Sequence, residues 1–204
     1  LPTRKDDSHD VLGTYHIVAN RKEMQITPAT AEELLKILSY RHQILLCARQ
    51  DKNPGQFKDR NNFAGKTAFV DFNLVKGTLT QGFDFYKALT HPFSKAVYMM
   101  FMISEVHPFL DGNGRIARVM MNAELVKEGQ SKIIIPTVYR DDYMGALRKL
   151  TRQSETAPFI RMLLRAYDFS ENVYGDDIDE MQAYLEKCNA FLEDTEAKLN
   201  IIPR

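Results

Sequence analysis

Twelve consecutive residues carry most of the chemistry in this chain: His107-Pro108-Phe109-Leu110-Asp111-Gly112-Asn113-Gly114-Arg115-Ile116-Ala117-Arg118. A helix is expected to end at Val106, so an imidazole follows it directly and Pro108 stiffens the exit. Asp111 is a hard oxygen ligand of the kind Mg²⁺ prefers. Gly112-Asn113-Gly114 can turn tightly, and its glycines let backbone N–H groups converge on one point. A helix begins immediately afterwards, and its positive end faces the same point. Arg115 and Arg118 stand three apart on one face of that helix. Cations at a helix N-terminus are unfavourable unless an anion sits there, so the pair argues for a phosphate chain. A base, a metal ligand, a phosphate nest and two guanidinium clamps outline a phosphoryl-transfer site.

Other segments imitate parts of this set. His91-Pro92-Phe93 repeats the tripeptide, but Ser94 and Lys95 follow it, so it reads as a helix start. Gly65-Lys66-Thr67 resembles the end of a P-loop, yet the glycine required upstream falls at Arg60. His9, His16 and His42 have no partners at ligand spacing and read as surface or structural residues. Cys47 and Cys188 are far apart and form no metal-like pair, which suits reduced thiols in a cytoplasmic compartment.

The elements that must position the site are mostly helical. Residues 1–29 read as a polar lead-in with one apolar patch, Tyr15–Ala19. Thr27-Pro28 signals a helix start, and the apolar spacing from Ala31 predicts a helix to about Gln50. Residues 55–75, with Phe57, Phe63, Phe69, Val70 and Phe72, read as a β-hairpin. Gly77 and Gly82 punctuate a loop. Helices are expected from Pro92 to Val106, from Asn113 to about Glu128, and over 140–151 and 156–169, with an extended connector at Ile133–Ile135. From Asp177 to Asn200, Ile178, Leu185, Leu192 and Leu199 repeat every seven residues. That stripe predicts an acidic amphipathic helix over 171–204, either packed on its own domain or serving as a docking or homodimer helix. The fold class is mainly α with one small hairpin.

Composition narrows the function classes. With 27 basic and 27 acidic residues in 204 there is no global field to draw in nucleic acid or an anionic membrane. The longest apolar run, Ala96–Ile103, is too short to span a bilayer. Residues 176–204 hold 8 acidic and 3 basic residues, leaving a mild positive excess before them that suits an anionic small molecule.

The segment 107–118 resembles the signature of the Fic family, His-Pro-Phe-x-Asp/Glu-Gly-Asn-Gly-Arg-x-x-Arg, at all nine specified positions. A chance match is on the order of 10⁻¹² per start point. Residues 55–70 look like the family's flap hairpin, and Pro158-Phe159-Ile160-Arg161 like a recurrent helix, so the resemblance covers about residues 30–170. It implies a Fic fold, a helical bundle with a small hairpin flap beside the active-site loop. It also implies a protein adenylyltransferase that moves AMP from ATP to a Ser, Thr or Tyr hydroxyl of another protein. By resemblance, His107 is the general base, and Asp111 holds Mg²⁺ between the α- and β-phosphates. Gly112, Asn113 and Gly114 cradle the phosphates; Arg115 clamps the leaving diphosphate and Arg118 the γ-phosphate. Asn122 and Tyr143 are candidate nucleotide neighbours. Gly55, Gln56, Phe57, Phe69 and Val70 belong to a flap that would align the target segment by strand pairing. Transfer of another nucleotide, removal of AMP, and a non-catalytic binding module are the competing readings. Many members carry an inhibitory Ser/Thr-x-x-x-Glu-Gly/Asn helix. Here Glu128-Gly129 and Glu171-Asn172 are preceded, four residues before each Glu, by Glu124 and Tyr167, so neither matches. Restraint is then expected from a separate inhibitory protein, from a segment upstream, or from nothing, and the chain is expected to label itself.

Overall fold

The computed structural model describes residues 5–65 and 67–204. The described chain divides into two compact units, the first ending at Gln130 and the second beginning at Ser131.

The first unit is organised around α5 (Pro92–Val106) and α6 (Asn113–Lys127), which pack on each other and are joined by the twelve-residue motif's first half. Pro92 occupies the first turn of α5, where its missing N–H costs nothing. Ala96, Met99, Met100 and Ile103 follow at i, i+3, i+4 and i+7 and are buried. Around this pair lie α3 (Ala31–Leu45) and α4 (Val75–Ala88). α3 starts later than the Thr27-Pro28 signal suggests. Thr30 caps it by accepting from the Glu33 N–H at 3.1 Å, while the Glu33 carboxylate reaches back to the Ala29 N–H at 2.8 Å.

Three expectations are corrected here. The polar lead-in, for which the spacing predicts no element, forms α1 (Lys5–Val18) and α2 (Arg21–Met24). Ile17 and Met24 enter a core cluster with Leu45, Leu46, Val119 and Ala123, and each contributes about 1.5–3 kcal/mol on burial. Gly13 lets α1 lie directly on the end of α3, because a methyl group there would run into the Leu45 carbonyl. The segment bearing Gly77 and Gly82 is helix rather than loop, because Val75, Leu79, Phe83 and Tyr86 form one buried stripe that outweighs two weak helix formers. The hairpin is shorter than 55–75. Strand β1 (Phe63–Ala64) pairs antiparallel with β2 (Thr67–Ala68), and Phe72–Leu74 is a turn of 3₁₀ helix capped by Asp71.

In the second unit α7 (Arg140–Gln153) packs on α8 (Thr156–Glu171), which buries Phe159, Met162, Leu163, Ala166 and Phe169. The long terminal helix is also corrected: α9 covers only Ile178–Lys187. Asn189 turns left-handed (φ 62°), its N–H donates to the Glu186 carbonyl, and the Ala190 N–H returns to the Leu185 carbonyl. These paired bonds close the helix and break the seven-residue stripe, leaving Leu192 exposed and Leu199 buried. No helix among the described residues is long and apolar enough to cross a membrane.

Candidate active site

The motif leaves α5 at His107, which adopts the left-handed conformation (φ 50°, ψ 60°). Histidine tolerates this region better than most residues, but such strain persists only where the surroundings enforce it. Phe109 supplies part of that enforcement. It is fully buried, stacked on His42 at 3.7 Å between centroids and on Phe57 at 5.2 Å. Asn113 closes the loop on itself, accepting from the Phe109 N–H at 2.9 Å and donating to the Phe109 carbonyl at 2.8 Å. At Gly112 the left-handed backbone (φ 74°) favours glycine, and a Cβ would also press on Leu46 at 3.2 Å and Leu45 at 3.3 Å.

Carbonyls in and beside the loop are held by residues from outside it. The Val106 carbonyl receives Lys58 Nζ at 3.4 Å, and the Pro108 carbonyl receives the Lys58 backbone N–H at 2.9 Å. The Phe109 carbonyl also receives the Asn62 side-chain amide at 2.8 Å. The Asp111 carbonyl meets His42 Nε2 at 3.0 Å. His42 Nδ1 accepts from the Gly55 N–H at 2.9 Å, so the ring proton sits on Nε2 and donates to Asp111. Burial pushes the His42 pKa down to about 4, keeping it neutral in this role. These partners satisfy the polar backbone groups of a tightly turned loop.

On the open side is a cavity of about 320 Å³ lined by Asn62, Phe63, His107 and Leu110, by the run from Asp111 to Arg115, and by Arg118. His107 Nδ1 faces the Ser104 carbonyl at 3.0 Å. A carbonyl only accepts, so Nδ1 carries the proton of the neutral ring and Nε2 keeps its lone pair. Phe69 stacks on the imidazole at 3.6 Å, with planes 5° apart. Burial lowers the His107 pKa, and the Lys58 charge acts in the same direction against Ser104 and Asp111. The Asp111 Oδ1 accepts from the Gly112 N–H at 2.6 Å and lies 3.6 Å from Arg115. Arg115 is held 2.5 Å from Asp10 of α1, which also lies 3.6 Å from Arg49.

The structure therefore brings His107, Asp111, Gly112, Asn113, Gly114, Arg115 and Arg118 to one cavity. Asn122 is buried one turn further along α6, outside the cavity lining, and Tyr143 is buried on α7 of the second unit. Of the flap residues, Gly55 is buried, Phe57 is half-buried and Gln56 is exposed ahead of the hairpin, and Phe69 and Val70 follow β2. Sequence reasoning missed His42, Lys58, Asn62 and Asp10. His42 and Lys58 are buried and Asp10 and Asn62 partly so, and nothing in their local sequence marks them. A single carboxylate with adjacent phosphate-binding groups suits Mg²⁺, which takes one or two protein carboxylates and completes its shell with phosphate oxygens and water. Among the described residues no cluster of three His, Cys, Asp or Glu side chains could hold a metal without such help.

Residues 29–125 match the family model described as Fic/DOC. A protein adenylyltransferase Fic from Drosophila persimilis is 34% identical over 84 residues, which is 41% of this chain and 16% of that protein. The chain thus aligns with about a sixth of the length of the curated relative. A structure of Fic-1 from C. elegans superposes with a TM-score of 0.67 at 18% identity, covering 93% of this chain and 54% of that one. An IbpAFic2 variant in complex with adenylylated Cdc42 gives a TM-score of 0.52 at 20% identity, over 82% of this chain and 65% of its own. At these identities the structures establish a shared fold.

Proposed function

We propose, from the premise that residues 29–125 are a Fic/DOC-family domain, that this chain is a protein adenylyltransferase taking AMP from ATP to a hydroxyl of a protein. The observation that carries the reading is the His107–Ser104 hydrogen bond, which leaves the imidazole Nε2 as a base at the wall of a cavity lined by anion-binding groups. The attacking Ser, Thr or Tyr oxygen gives its proton to His107 Nε2 and bonds to the α-phosphorus, while the bond to the β-phosphate oxygen breaks and diphosphate leaves. Gly112, Asn113 and Gly114 hold the phosphates in line, Arg115 meets the departing diphosphate and Arg118 the γ-phosphate. Asp111 would hold Mg²⁺, which when bound neutralises charge on the leaving group. The hairpin edge at β1 and β2 supplies backbone groups for an extended target segment, as in strand addition. Adenylylated Cdc42 beside the related IbpAFic2 domain supports a protein as acceptor.

Intact-mass spectrometry of the isolated protein after incubation with Mg²⁺ and ATP tests this. One added AMP unit, absent from His107→Ala and from Asp111→Ala, is the expected result. Labelling only by a different α-labelled nucleotide would replace ATP as donor, and labelling that survives in His107→Ala would remove the base from the mechanism.

A further inference from the structure

Lys58 is 3% exposed, an unusual place for an ammonium group in a small helical unit. Enclosing it is costly, and a methionine of similar length would fill the same space without that cost. Its contacts indicate what the charge does there. The backbone N–H donates to the Pro108 carbonyl at 2.9 Å, and Nζ donates to the Val106 carbonyl at 3.4 Å. The residue thus grips the neighbours of His107 on both sides. Nζ also donates to Asn62 Oδ1 at 2.8 Å, while the Asn62 amide donates to the Phe109 carbonyl at 2.8 Å. Val106 is the last residue of α5, so the ammonium meets the negative end of that helix.

We propose that Lys58 is a positioning residue for His107, its enclosed ammonium fastening the base of the hairpin to the catalytic loop and fixing a positive charge behind the imidazole. This rests on the adenylyltransferase reading only for the consequence in turnover. The charged groups acting on His107 are Lys58, which opposes protonation, and Asp111, which favours it. Lys58 in turn feels Asp71, which supports its charge against burial. Two benefits follow. The ring is held with Nε2 towards the cavity, and its neutral form is favoured, so the base is ready when the hydroxyl arrives. Phe69, which stacks on His107, sits on the same hairpin, so one enclosed charge fastens both the loop and the flap that covers its base.

The test is Lys58→Met, with Lys58→Gln as a second neutral variant should the first fail to fold, and Lys58→Arg as the charge-keeping control. Nuclear magnetic resonance of the His107 ring across pH reads the charge without any need for activity. In the neutral variants the titration midpoint should rise, and in Lys58→Arg it should stay at the wild-type value. Transfer at neutral pH should fall roughly tenfold or more, with the acid limb of the pH profile moved up and the KM for ATP within about twofold. A midpoint unchanged in the neutral variants, with the rate reduced equally at every pH, would show a merely structural lysine and overturn the proposal. A wild-type protein without transfer activity would refute the activity reading alone, since the ring titration would still decide the role of Lys58.

Discussion

The same tripeptide stands at both ends of α5, and the two copies behave in opposite ways. His91 precedes the helix with ordinary extended geometry (φ −80°, ψ 130°), and its Nδ1 accepts from the Phe93 N–H at 3.2 Å. His107 ends the helix in the left-handed region, and its Nδ1 donates to the Ser104 carbonyl. A helix offers unpaired N–H groups at its start and unpaired C=O groups at its end. The neutral imidazole must therefore carry its proton on Nε2 at the first end and on Nδ1 at the second. Helix polarity makes one histidine a cap through Nδ1 and leaves the other with its Nε2 unprotonated in the neutral ring. Tripeptide identity says nothing of this; position relative to the helix says nearly all of it.

The largest effect that could break the comparison is on transfer. His107→Ala should reduce it by roughly 10²–10⁴, the usual worth of a positioned base, whereas His91→Ala should cost only about 1 kcal/mol of stability through the lost cap. Steady-state assays with both variants decide it, and equal losses would erase the distinction. Next comes packing. Phe109→Ala, at a fully buried position between His42 and Phe57, should lower the unfolding free energy by about 3–5 kcal/mol, and the partly exposed Phe93→Ala by less than half as much. Urea titrations monitored by circular dichroism give both values.

The smallest of the three effects concerns acid. His42, stacked under Phe109, exists only at the second end, and its folded pKa of about 4 lies below the ordinary 6.5. The folded state then binds fewer protons than the unfolded one, so its contribution is fully present above about pH 6.5 and is lost as pH falls towards 4. The loss amounts to roughly 3 kcal/mol across that window. Stability curves at pH 7 and pH 4.5 should show this slope in the native protein and a shallower one in His42→Gln, which has no proton to gain. An unchanged slope would remove His42 from the loop's support.

The reach of sequence reasoning followed the range of the contacts. Residues 107–118 form their turn, nest and helix start from neighbours a few positions away, and those were readable directly. The limits of α5 and the closing of α6 near Glu128 were readable for the same reason. The loop's supports come from far along the chain: His42 meets Asp111 across 69 positions, and Asn62 meets Phe109 across 47. Nothing in local spacing marks such partners. The lead-in failed differently. α1 keeps Val11, Leu12 and Tyr15 exposed and buries Ile17, so its stripe is too sparse to announce a helix, and packing on α3 decides it. Asn189 closes α9 by a left-handed turn that asparagine adopts more readily than most non-glycine residues, and the regular spacing of leucines beyond it does not announce that stop.

One contact ties α1 to the start of α6. Asp10 holds Arg115 with one carboxylate oxygen, while its other oxygen is buried without a hydrogen-bond partner. If Arg115 meets the diphosphate as proposed, the incoming phosphate would compete with the Asp10 carboxylate for the same guanidinium. Competition of this kind is reciprocal. On that reading, whatever steadies α1 in its seat on α3 would weaken the nucleotide by some factor, and the nucleotide would loosen α1 by that same factor. Residues 5–18 would then report occupancy of a cavity whose lining they do not share.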